Sequence, residues 1–176
     1  HNRDSSFILG VCNGAQLLTQ LGWIPKRGIK LIDPPYLAHN LSGRFEHRHV
    51  GVQVEGTSIF TAGMEGSVLP ITIAHGEGHW TLDDASLAFV EAERLVSMRF
   101  VHPNRKQTEL YPFNPNGSVN GIAGVSSLNR RVLALMPHPE RLFLKQQWPH
   151  WPQHWEHLSE SPWLQLFRNA FTFCKQ

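Results

Sequence analysis

Cysteine is scarce in this sequence: Cys12 and Cys174 are the only two among 176 residues, and they stand near opposite ends. That excludes a disulfide framework, fits a reducing compartment, and leaves each thiol to be explained singly. A chain of this length needs no such staple, since it buries about 70% of its unfolded surface. Long apolar runs are missing too. No stretch approaches the ~18 residues of a membrane span, and no basic-then-apolar leader is read, so no membrane partner and no secretory signal are expected. A charge surplus is also lacking. Sixteen Lys and Arg against fourteen Asp and Glu leave +2, which argues against a nucleic-acid platform even at a pI of 8.7. Repeats and low-complexity blocks are absent. The length suits one compact domain. The sequence opens on His1 rather than Met, and the expectation is a processed chain or one piece of a longer polypeptide.

What is there reads as a mixed α/β chain. Phe7 to Val11 is a short apolar run with β-branched members, a buried strand. A helix follows over Ala15 to Leu21 with Leu17, Leu18 and Leu21 on one face, closed by Gly22. Residues 25–43 carry Pro25, Gly28, Pro34, Pro35 and Gly43 and read mostly as loop. Val50, Val52 and Val54 alternate with His49, Gly51 and Gln53, the pattern of a half-buried strand. Further strands are expected at Ile71–Ala74 and Leu95–Val101, and an antiparallel pair at Gly121–Val125 and Val132–Met136. A last helix has Ser161 as cap, Pro162 at its first position, and an apolar face of Trp163, Leu166, Phe167, Ala170 and Phe171. Between the terminal helices little helical signal is read. Strands outnumber helices, as in a mixed-sheet α/β domain.

Gly10-Val11-Cys12-Asn13-Gly14 places a thiol where a buried strand gives way to a helix. An abrupt strand-to-helix reversal strains the residue at the bend and asks its neighbours to lack Cβ atoms. The bend lifts the side chain clear of the sheet. The helix N-terminus sets unpaired N–H groups and a positive dipole end beside the sulfur, favouring the nucleophilic thiolate. The N–H of Asn13 can point at an oxyanion on an attacked carbonyl. The alternative is a structural cysteine at a strand end. Cys174, without glycine flanks, reads as packing.

Met136-Pro137-His138-Pro139-Glu140 closes an apolar strand. Residues two apart in extended chain project to one side, so His138 and Glu140 face the same way, and two prolines stiffen the frame. A carboxylate beside an imidazole fixes its tautomer and stabilises the imidazolium. Cys12, His138 and Glu140 thus supply nucleophile, base and orienter. Alone, the His–Glu pair is better read as a proline-rich loop; with the cysteine bend it gains a role.

These residues resemble a known family. Gly10-Val11-Cys12-Asn13-Gly14-Ala15-Gln16 resembles the nucleophile motif of class I, triad glutamine amidotransferases, and Met136-Pro137-His138-Pro139-Glu140-Arg141 their His–x–Glu motif. Three more stretches, His39–Glu46, Ala74–Gly78 and Asn114–Gly124, point to one branch, as does the ending Ser161–Ala170. Together they are similar to the C-terminal glutaminase domain of the large single-chain phosphoribosylformylglycinamidine synthases. The resemblance implies a class I glutamine amidotransferase-like (flavodoxin-like) mixed-sheet sandwich, with residues 1–176 forming part of the glutaminase domain and its N-terminal strands outside this chain. It implies that Cys12 attacks the amide of glutamine to form a glutamyl thioester, that His138 protonates departing ammonia and then activates water, and that Glu140 orients His138. Ammonia would pass to the parent's own synthetase domain, a cytoplasmic enzyme of purine synthesis using ATP and Mg. No cofactor is expected in this segment. Gln16 matches a position lying against bound glutamine. The His75-Gly76-Glu77 turn resembles the segment whose backbone holds the α-carboxylate.

Two departures stand out. Ala15 occupies a place where many relatives have a second cysteine, away from the nucleophile. The family's Gly-rich loop, source of a second oxyanion donor, is not found here. Losing one such donor lowers rate by ~10²–10³-fold, so the segment alone is expected to be inactive. Two other readings stay open: a stand-alone thiol glutamyl hydrolase of the same fold, and a pseudoenzyme like the gammaherpesvirus tegument proteins that resemble this synthase and act on host proteins. No metal is expected. His47 and His49 share a strand face, and His150, His154 and His157 lie among tryptophans. Neither a Cys pair nor an H-E-x-x-H pattern accompanies them, and Pro149 and Pro152 break the helix that would align them.

Overall fold

A computed structural model describes residues 6–25, 35–56 and 58–175. The eight strands are β1 (Ile8–Val11), β2 (Tyr36–Ala38), β3 (Glu46–Val54), β4 (Val68–His75), β5 (His79–Thr81), β6 (Val96–Val101), β7 (Ile122–Ser126) and β8 (Val132–Leu135). The helices are α1 (Asn13–Gln20), α2 (Asp84–Ala92) and α3 (Leu164–Phe173). Six strands form one sheet in the order β1-β8-β7-β6-β3-β4, and β2 pairs with β5. β1 and β8 run parallel; every other neighbour in the sheet is antiparallel. Counting those reversals, β1, β8, β6 and β4 all point the same way. The sheet curls until the chain beyond β8 bridges the far edge strand, Thr72 against His138. That closure brings the C-terminal ends of β1, β8 and β4 together, the usual place for a site in an α/β sheet.

The sheet separates two cores. One packs Val50, Val52 and Val54 with Ile71, Ile73, Phe100, Trp163 and Leu166. The other packs Ala15 and Leu18 of α1 with Val90, Leu95, Ile122, Val132 and Ala134. The valine alternation of β3 is thus the core face, each side chain contributing about 1.5–3 kcal/mol by burial. β1 is an edge strand, unpaired on its outer side among the described residues. Phe7 before it packs edge-on against Phe60 and Phe173.

Several expectations need correction. α2 sits in the stretch read as poor in helix. Asp83 caps it by accepting a 2.7 Å bond from the Ser86 N–H, a local signal that an apolar count passes over. The buried residues of α1 are Ala15, Leu18 and Thr19, while Leu17 and Leu21 face outward. In the last helix Trp163 and Leu166 are buried but Phe171 is exposed. Cys174 is exposed as well, so it does not pack. Ser161 accepts from the Trp163 N–H at 3.0 Å, one turn ahead of α3. The 25–43 loop contains β2, and its 26–34 part lies outside the described residues.

Candidate active site

Cys12 stands between β1 and α1, with φ 53° and ψ −108°. This is the strained bend expected of a side chain lifted off a sheet. Its N–H donates to Leu135 O at 2.8 Å, so β8 anchors the bend. Of the flanking glycines only Gly10 is sterically required: a Cβ there would lie 2.5 Å from Leu18 Cδ1 and 2.7 Å from the Gly14 backbone. A Cβ on Gly14 would meet nothing within 4 Å, which corrects the expectation that both neighbours must lack one.

His138 arrives from β8. Its N–H donates to Thr72 O at 2.8 Å, clipping the turn onto β4. The ring is 7% exposed. Its Nδ1 lies 2.6 Å from Glu140 Oε1. With a carboxylate there, Nδ1 carries a proton and Nε2 is the nitrogen left for another partner. Nε2 is buried, and the ring and the Cys12 thiol act on each other as hydrogen-bonding neighbours. The thiol itself makes a long 3.8 Å contact to Ala74 O of β4. So β1, β8 and β4 each bring one side of the site.

The charges reinforce one another. The His138 ring, despite the opposing effect of burial, holds the Cys12 thiol below its ordinary value of 9.0, helped by the Asn13 N–H and by Arg141. Burial pushes His138 down, but the thiol and Glu140 outweigh it and lift the imidazole to about 9. Burial raises Glu140, and the bond from His138 more than reverses that. Each group thus favours the charged form of the other, thiolate beside imidazolium.

The predicted substrate segment lies alongside. Gln16 of α1 donates from Nε2 to Glu77 O at 2.9 Å, tying the helix to the 75–78 turn. His75 is buried and interacts with His138; burial first, and then that neighbouring charge, lower it to about 4. A Cβ on Gly78 would fall 2.2 Å from the His75 ring, so glycine is needed where the ring lies. Gly76 and the exposed Glu77 complete the turn, with Glu77 Oε1 3.5 Å from His39 Nδ1.

Three contributors were not foreseen. Asn40 braces the turn from inside. Asn116 donates from Nδ2 to Gly78 O at 2.7 Å. Glu46 is 2% exposed and pairs with Arg48, which also reaches Tyr111 Oη at 2.9 Å. Period-two counting back from Val50 puts half-buried Arg48 and buried Glu46 on the core face, so this pair was readable from β3 alone. The candidate metal residues do not converge: among the described residues no group of three or more His, Cys, Asp or Glu is placed to hold a metal ion, and His154 packs edge-on against Trp155.

With this geometry in hand, the comparisons decide the family. The CobB/CobQ-like glutamine amidotransferase domain matches residues 1–174. The chain belongs to that family. It is 43% identical over 181 residues to the phosphoribosylformylglycinamidine synthase of Dictyostelium discoideum and 44% identical over 181 residues to that of Homo sapiens. It covers 99% and 96% of itself in those matches but spans only 13% and 14% of the relatives' length. Among solved structures it is similar to PurLQS from Thermotoga maritima, with a TM-score of 0.61 and 26% identity over 96% of this chain and 60% of that one. The class I amidotransferase-like fold expected from the motifs is the fold observed. No helix among the described residues is long and apolar enough to cross a membrane.

Proposed function

We propose that this chain is the glutaminase segment of a phosphoribosylformylglycinamidine synthase. The observation that carries the reading is the meeting of the Cys12 thiol, His138 and Glu140 at the strained bend, in a chain of this family. The Cys12 thiolate attacks the side-chain amide carbon of glutamine. The Asn13 N–H faces the oxyanion. The His138 imidazolium gives its proton to the amide nitrogen, the C–N bond breaks, and ammonia leaves a glutamyl thioester. Neutral His138 then takes a proton from water, whose oxygen attacks the thioester. Glutamate departs and the thiolate–imidazolium pair is restored. Glu140 holds Nδ1–H throughout, which keeps Nε2 aimed at the reaction.

The rest of the reading extends the family resemblance of the motifs, with the relatives' names and length in support. The segment belongs to a longer polypeptide, whose further strands would pair on the open edge of β1. Its synthetase region, outside this chain, uses ATP and magnesium to turn formylglycinamide ribonucleotide and ammonia into formylglycinamidine ribonucleotide. A cytoplasmic setting is part of the proposal; the Arabidopsis thaliana relative is described as chloroplastic/mitochondrial.

Cys12→Ala in the full-length polypeptide tests this. Glutamine-dependent synthesis is expected to vanish while ammonia-dependent synthesis continues. Loss of both would make Cys12 structural. Glutamine hydrolysis by the wild type that ignores ATP and the ribonucleotide would favour the stand-alone hydrolase.

A further inference from the structure

One buried amide holds most of the turn from His75 to Gly78. Asn40 is 3% exposed. Its Nδ2 donates to Arg44 O at 3.0 Å and to His75 O at 2.8 Å. Its Oδ1 accepts from the Gly78 N–H at 3.1 Å. Its backbone N–H donates to Gly76 O at 2.8 Å. The partners leave the side-chain amide a single orientation, because two carbonyls require the NH2 end and an N–H requires the oxygen.

That orientation settles the tautomer of His75. Its Nδ1 lies 3.1 Å from Asn40 Oδ1. An amide oxygen only accepts, so Nδ1 carries the proton and Nε2 the lone pair. Nε2 is buried and has no hydrogen-bond partner among the described residues. A buried acceptor left bare is unfavourable until something supplies an N–H. Glutamine carries N–H groups at both its amide and its α-ammonium.

We propose that Asn40 is a positioning residue for glutamine binding: it ties His75 to Gly78 and fixes His75 as the Nδ1–H tautomer, presenting the turn's backbone and a neutral acceptor beside the triad. The proposal rests on the glutaminase reading above. No described bond joins Asn40 to Cys12, His138 or Glu140, so its effect falls on substrate grip and spares the nucleophile.

The test uses the full-length polypeptide with Asn40→Asp and Asn40→Ala. Asn40→Asp keeps an oxygen for Gly78 and His75 but turns a second oxygen toward two carbonyls; Asn40→Ala removes every side-chain bond. KM for glutamine is expected to rise about tenfold or more in either variant with kcat within about threefold. The pH profile for alkylation of Cys12 by iodoacetamide should stay where the wild type has it. A KM within about twofold of wild type overturns the proposal. So does a displaced alkylation profile in both variants, which would make Asn40 a support of the whole site. Wild-type Cys12 that glutamine fails to protect from iodoacetamide would instead sink the glutaminase reading beneath it.

Discussion

Two buried histidines share this site, and their surroundings push them to opposite charge states. His138, 7% exposed, has the Glu140 carboxylate at Nδ1 and a thiol near its other nitrogen; despite burial it is raised to about 9. His75, 3% exposed, has only the Asn40 amide at Nδ1 and a second imidazole as neighbour; burial, then that neighbour, lowers it to about 4. Exposure is nearly equal, so the neighbours decide: the thiol and the carboxylate raise one ring, while the other has only an amide and a second imidazole. A carboxylate makes an acid–base catalyst. An amide makes a fixed neutral acceptor.

The contrast can be broken most sharply by paired substitution. His138→Asn is expected to lower glutamine hydrolysis roughly 10³-fold, against roughly tenfold for His75→Asn, read as glutamate release. Equal losses would erase the distinction. Stability should separate the two rings next. Between pH 6.5 and about 4 the unfolded chain protonates His75 while the folded chain does not. Stability therefore falls as pH drops through that window, by on the order of 3 kcal/mol. For His138 the folded value lies above 6.5, so its contribution is complete below 6.5 and is lost as pH rises toward 9. Urea unfolding across this range should show both flanks, and His75→Asn should flatten the acid one. The smallest expected effect is from Glu140→Gln, which leaves the ring in place but removes its anion. Turnover should drop, with the alkaline limb of the pH–rate profile moving to lower pH. A limb that stays put would take Glu140 out of the account.

Much of this site was legible because its chemistry is local in sequence. The strand–Cys12–helix bend and the His138–Glu140 spacing are short-range patterns, and β3 announces itself by alternating valines. What escaped notice depends on contacts made across the fold. Asn40 matters through partners 35 and 38 positions away, and no local spacing encodes that. Glu46 was missed for a different reason. A carboxylate is ordinarily assigned to solvent, although the period of β3 places it inward beside Arg48. α2 was overlooked because its start is marked by the Asp83 cap more than by an apolar stripe. Leu17 and Leu21 were misplaced because the buried face of α1 runs through Ala15, Leu18 and Thr19.

The central claim is that His138 draws the Cys12 thiol toward thiolate, below its ordinary value. The rate of iodoacetamide alkylation at Cys12, followed against pH in the wild type and in His138→Asn, tests it most directly. A wild-type midpoint below 9.0 that climbs back in the variant is the predicted result. A midpoint at the ordinary thiol value, unchanged when the imidazole is removed, would contradict it.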